Sequence, residues 1–130
     1  MAEVLYTNAV APMLLTQLLI ENARKGSGKK LVYISSKMGS IEDNGRGGST
    51  IYRSSKTALN SVVKTLAIDL APEGIAVTTL HPGWVRTDMG GPNGNIDAPE
   101  SVSGMLNVID GLSGANTGQF YNYDGSTIAW

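Results

Sequence analysis

The chain has 130 residues, with ten Lys and Arg against eleven Asp and Glu and a formal charge of −1. Both signs are scattered, so there is no basic stripe for nucleic acid and no acidic tail. Cysteine is absent, which excludes disulfides and thiolate metal sites, and one histidine with no clustered carboxylates argues against a zinc site. The length fits one domain with a real core. No stretch resembles a signal peptide, and no uninterrupted apolar run approaches ~18 residues. These features predict a soluble, cytoplasmic α/β protein with no nucleic-acid or membrane partner.

Residues 2 to about 24 read as a helix, with Val4, Leu5, Val10, Leu14, Leu15, Leu18 and Leu19 in a broad apolar band. Arg24 and Lys25 suit its negative C-terminal end, and Gly26 is a natural stop. Pro12 has no N–H to offer the Asn8 carbonyl four residues back. Either the helix runs through with a disturbance and a free carbonyl at Asn8, or it begins near Pro12. Lys25-Gly26-Ser27-Gly28-Lys29-Lys30 is glycine-punctuated but lacks the first Gly and the Ser/Thr of a phosphate loop, and it precedes a strand. It reads as a turn.

Lys29 to Ser36 is short, apolar and partly β-branched, which marks a strand. Ser35 and Ser36 close it, at the carboxyl end where open α/β sheets bind ligands. A glycine-rich loop, Ile41 to Thr50, follows. Ile51 to Leu70 then reads as a helix, with Leu59, Val62, Val63, Leu66 and Leu70 at helical spacing and Ser49 or Thr50 as a hydroxyl cap.

Tyr52 and Lys56 lie four apart on this helix and so share a face, about 6 Å from each other. An ammonium at that distance favours the phenolate by roughly 3 kcal/mol at an effective dielectric near 20. That makes the pair an acid–base device, although many such pairs are solvated surface neighbours. Tyr33 and Lys37 show the same spacing on a strand, where four residues span about 13 Å and no coupling is expected.

Ala71-Pro72-Glu73-Gly74 breaks the helix, and Ile75 to Leu80 is a second buried strand ending at His81-Pro82-Gly83. His81 reads as structural, with nothing nearby in sequence to tune it. Met89 to Pro99 is a loop or lid rich in Gly, Asn and Pro. Ala98-Pro99-Glu100 opens a third helix with Val102, Met105, Leu106 and Ile109 as its expected buried face. Gly118 to Tyr123 is a last strand. Three helices alternating with three strands predict a parallel sheet with helices across its faces.

Taken in order, Ser35-Ser36, Tyr52-x-x-x-Lys56 and His81-Pro82-Gly83-x-Val85-x-Thr87 resemble the short-chain dehydrogenase/reductase family. The segments around Gly47-Gly48, Trp84 to Gly91 and Tyr123-Asp124-Gly125 are similar to its branch of small carbonyl reductases. The resemblance spans essentially all 130 residues and implies the C-terminal half of a Rossmann-type, doubly wound sheet. It implies hydride transfer between NAD or NADP and a small carbonyl or alcohol substrate.

By matching positions, the resemblance makes Tyr52 the proton donor, and Lys56 its partner and a ligand of the nicotinamide ribose. Ser36, or its neighbour Ser35, would bond the reacting oxygen, and Asn8 would be the fourth member, its carbonyl holding a relay water. Pro82, Gly83, Val85 and Thr87 would line the nicotinamide. It also implies a homo-oligomer packed through helices 2–24 and 51–70. The glycine-rich turn that grips the pyrophosphate does not occur in these residues, and a module that self-associates without catalysis is the alternative.

Overall fold

The computed structural model describes residues 1–130. Three strands, β1 (Lys30–Ile34), β2 (Ala76–His81) and β3 (Phe120–Asn122), form one parallel sheet in the order β1-β2-β3. The register pairs Lys30 with Ala76 and Ile34 with Leu80, then Thr79 with Phe120 and His81 with Asn122. All strands therefore end on the same side, where Ser35, Ser36 and His81 leave the sheet. β2 is the middle strand, and its Val77, Thr78, Thr79 and Leu80 are fully buried, which is why it reads as a continuous apolar and β-branched run. The far edge of β1 is unpaired.

The helix Thr50–Leu70 packs across this sheet. Its buried stripe is Ser55, Leu59, Val63, Ala67 and Leu70, and the apolar part meets Ala9, Ile75 and Val77 in one core cluster. Ser49 does not cap it as expected. Its backbone is left-handed (φ 47°), following two positive-φ glycines, and its side chain makes no cap bond. Hydroxyl capping needs an extended N-cap residue, and this loop does not provide one.

The first helix runs without a break from Ala2 to Lys25. At Tyr6–Val10 it widens into a π turn, in which the Ala11 amide reaches the Tyr6 carbonyl five residues back. Pro12 opens the α-helical segment that follows. The missing proline donor thus falls where the bonding changes register, and the helix continues instead of starting there.

Thr16 is buried, donates to the Pro12 carbonyl (2.7 Å) and lies 2.5 Å from the Tyr33 hydroxyl, so Tyr33 must donate to it. Lys37 pairs instead with Asp43 at 3.8 Å, and the Tyr33–Lys37 spacing carries no coupling. Leu14, Leu15, Leu18 and Leu19 stay exposed, Leu18 to 78%. By length and composition the Ala2–Lys25 helix is apolar enough to cross a membrane, although here one stripe of it packs into the core.

The third helix, Ala98–Asp110, begins at Asp97, whose carboxylate accepts the Glu100 amide. Its expected inner face is partly wrong. Val102 and Leu106 are exposed, and the one fully buried residue is Ser101, which donates to the Pro82 carbonyl. The helix turns this side inward because Gly104 rides against Tyr123, where a Cβ would come within 2.4 Å of the Tyr123 oxygen.

Candidate active site

Beyond the carboxyl ends of β1 and β2 lies a cleft of about 1150 Å³. Ser35, Ser36, Tyr52, Pro82, Gly83, Val85 and Thr87 all line it, and Trp84, Met89, Val102 and Met105 add apolar walls. Of the residues singled out from sequence, Lys56 and Asn8 lie outside its lining.

Ser35 and Ser36 leave β1 on opposite faces. The Ser35 hydroxyl donates to Asn60 Oδ1 (2.7 Å) in the interior and has no second proton to give. Ser36 starts the short 3₁₀ turn Lys37–Gly39, where its hydroxyl accepts the Met38 amide (3.1 Å). Its own proton remains free to point into the cleft.

Several bonds press this turn onto the Tyr52 helix. Thr57 donates to the Gly39 carbonyl (2.8 Å) and Arg53 to the Met38 carbonyl (3.4 Å). Gly39 permits the approach: a Cβ there would stand 2.8 Å from Lys56 Cβ and 2.9 Å from its backbone carbon. The turn is also held from its far side, where Ser40 donates to the Ala129 carbonyl and the Ile41 amide to that of Trp130. Trp130 in turn packs on Phe120 with ring centres 5.5 Å apart.

Lys56 Nζ lies 5.9 Å from the Tyr52 ring centre, as one helical turn predicts, and donates to the Ile34 carbonyl (3.3 Å). Burial disfavours its charge and lowers its pKa from the ordinary lysine value. Asn8 is joined to this helix through its side chain: Nδ2 donates to Ser55 Oγ (3.0 Å), and that hydroxyl donates to the Tyr52 carbonyl (2.8 Å).

Ser55, Thr57 and Asn60 were not singled out from the sequence. Ser55 had a signal, since extending the Leu59–Val63 stripe one turn towards the N-terminus lands on it. His81 was read as untuned, and the structure corrects that. Its Nδ1 accepts the Lys37 amide (3.0 Å), and burial together with the Lys37 ammonium lowers its pKa to about 4.

The segment after β2 is closed on itself. The Arg86 amide bonds the Ile96 carbonyl, the Arg86 side chain bonds that of Gly94, and Trp84 Nε1 that of Gly90. Thr87 Oγ1 accepts the Gly90 amide (3.1 Å), with its proton only loosely engaged by the Val85 carbonyl at 3.5 Å. Gly83, at φ 89°, packs so tightly on Ile96 and Tyr123 that any side chain would collide with both.

Residues 1–96 match the family model for short chain dehydrogenases. The chain belongs to that family. Its 130 residues are 44% identical to C-signal of Myxococcus xanthus, covering all of this chain and 78% of that protein. Among solved structures, the carbonyl reductase Sniffer of D. melanogaster superposes with a TM-score of 0.92 at 38% identity, over 97% of this chain and 55% of its own. An NADPH-bound carbonyl reductase from chicken fatty liver gives 0.91 at 37% identity, over 99% and 56%. The chain thus spans about half the length of the two carbonyl reductases and about three quarters of C-signal. The sheet of three parallel strands with helices across it is their Rossmann-like fold.

Proposed function

We propose that this chain carries the catalytic half of an NADP(H)-dependent carbonyl reductase, with Ser36, Tyr52, Lys56 and Asn8 as its reacting set. The observation that carries the reading is that Ser36 and Tyr52 line one cleft together with Pro82, Gly83, Val85 and Thr87. The nicotinamide end of a dinucleotide fits these residues. The wall is apolar, Thr87 has a loosely held hydroxyl proton for a carboxamide, and the cleft slightly exceeds the roughly 300–1000 Å³ of ordinary ligand sites. NADP is named for relatives in this family, and its use here rests on that likeness. No residue of the chain matches the pyrophosphate-gripping turn.

A dinucleotide held by Lys56, Pro82, Gly83, Val85 and Thr87 would supply or take up the hydride at the substrate carbon. The Ser36 hydroxyl donates a hydrogen bond to the carbonyl oxygen and orients it. As charge develops on that oxygen, the Tyr52 phenol transfers its proton there, leaving a phenolate and an alcohol. The Lys56 ammonium, 5.9 Å from the Tyr52 ring centre, favours that phenolate and, released from the Ile34 carbonyl, would bind the nicotinamide ribose. Pro12, four residues on, has no N–H for the Asn8 backbone carbonyl, which is the atom assigned to hold the water that returns the proton. Trp84, Met89, Val102 and Met105 give one part of the cleft an apolar lining for a carbonyl substrate, while Lys37, Asp43, Arg46 and Arg53 line another part with charge. Tyr52→Phe removes the transferable proton without changing the fold. The expected result is loss of turnover with an unchanged unfolding midpoint, and equal rates would refute the role.

A second reading has its own observation. The exposed Leu14, Leu15, Leu18 and Leu19, and a groove of about 380 Å³ between Met13–Ile20 and Ser61–Leu70, suit association of two copies through these helices. Light scattering tests it. A dimer that Leu18→Glu dissociates would support it, and a monomer at all concentrations would exclude it.

A further inference from the structure

We infer that His81 is a positioning residue for the proposed reaction: its Nδ1 takes the Lys37 amide and so fixes the turn from which Ser36 addresses the cleft. The inference rests on the function proposed above for its catalytic meaning, and on geometry alone for the hold itself.

The three N–H groups of the turn can be accounted for one by one. The Met38 amide goes to Ser36 Oγ and the Gly39 amide to the Ser36 carbonyl, so both stay within the turn. The Lys37 amide is the first, and nothing inside the turn can reach it. Such an orphan must be met from outside or by water. His81 meets it from the neighbouring strand. The β1–β2 register sets Ile34 beside Leu80, so the residues just beyond, Ser35 to Lys37 and His81, emerge side by side.

Ser36 Oγ is itself bonded to the turn through Met38, so its direction depends on the turn holding its shape. A nitrogen that accepts carries no proton. The ring is therefore the neutral tautomer with its hydrogen on Nε2, and that nitrogen has no protein partner where the ring lines the cleft. The neighbouring Lys37 ammonium opposes a positive ring, which keeps the acceptor available.

His81 is the only histidine, so its imidazole nitrogen spectrum is unambiguous. Three variants separate the ring's two ends. In His81→Asn a side-chain oxygen takes the place of Nδ1. In His81→Gln the polar atoms sit where Nε2 was, and His81→Leu has none. The expected spectrum at neutral pH is the neutral ring protonated at Nε2. Hydrogen exchange at the Lys37 amide should stay slow in the parent and in His81→Asn, and rise roughly tenfold or more in His81→Gln and His81→Leu. Turnover with NADPH should follow the same order, with kcat falling about tenfold in the Gln and Leu variants and the KM for NADPH unchanged.

A ring protonated at Nδ1, or equal Lys37 protection in all four proteins, overturns the hold. Equal kcat in all four despite the exchange difference overturns the positioning role. Absence of turnover in every protein, with the exchange order intact, retires the proposed function and leaves the hold standing. Should His81→Leu fail to fold, the Asn-against-Gln comparison decides alone.

Discussion

The Asn8 side-chain amide donates to the Ser55 hydroxyl across 3.0 Å, joining the π turn of the first helix to the opening turns of the Tyr52 helix. Ser55 has no exposed surface and passes its own proton to the Tyr52 carbonyl. Ser55→Ala removes both bonds at a site water does not reach. A destabilisation of about 1–2 kcal/mol is expected from urea unfolding. The loss should be smaller when Asn8 is already alanine, because the two side chains share the bond.

Gly39 is where the Ser36 turn touches the Tyr52 helix. The Cβ of Gly39→Ala would stand 2.8–2.9 Å from the Cβ and backbone carbon of Lys56, and the backbone carbon cannot swing aside as a side-chain tip would. The turn must move out, at a cost of about 1–3 kcal/mol. The moved turn carries Ser36, so kcat should drop more than the KM for NADPH changes. Steady-state kinetics beside a thermal unfolding curve checks both.

Acid should weaken the fold through His81. Its pKa in the folded chain is about 4, below the ordinary 6.5, so the unfolded chain takes up the proton first as pH falls. The contribution is fully present above pH 6.5 and is lost as pH drops from there towards 4. Between pH 7 and 5 the loss is at most about 2 kcal/mol, less whatever partial exposure screens. The charge that acts on the ring is Lys37, which pairs with the exposed Asp43. Urea midpoints at the two pH values should diverge in the parent and much less in His81→Asn.

Much of this arrangement was legible in the sequence, for reasons that differ by element. β2 announced itself because a middle parallel strand buried on both faces tolerates little but apolar and β-branched residues, and β1, at the edge, kept enough of that pattern to be read. Tyr52 and Lys56 were legible because helical spacing fixes their distance before any tertiary contact forms. The course of the first helix at Pro12 was not settled, because a π turn absorbs a missing donor without a signature in composition.

The face of the third helix was misread for a different reason. Gly104 lets it lie against Tyr123, and hydrophobic spacing says nothing about that. Likewise Ser49 sits in a left-handed turn set by the glycines before it, not by its own capping tendency. His81 looked inert because what tunes it is its burial and then Lys37, which is 44 residues away along the chain. Only the β1–β2 pairing brings them together. Ser35 and Ser36 differ through Asn60, which the fold places under the first serine and not the second, a contact the sequence does not announce.

The most direct test of the central claim is a titration of the folded chain with NADPH, following nicotinamide fluorescence, in the parent and in Lys56→Met. The account predicts saturable binding by the parent and clear weakening in the variant, because Lys56 leaves the Ile34 carbonyl to hold the nicotinamide ribose. Saturable binding that Lys56→Met leaves unchanged would contradict the placement of the cofactor in this cleft. No binding by a folded parent would contradict the claim that these 130 residues form a working nicotinamide half-site.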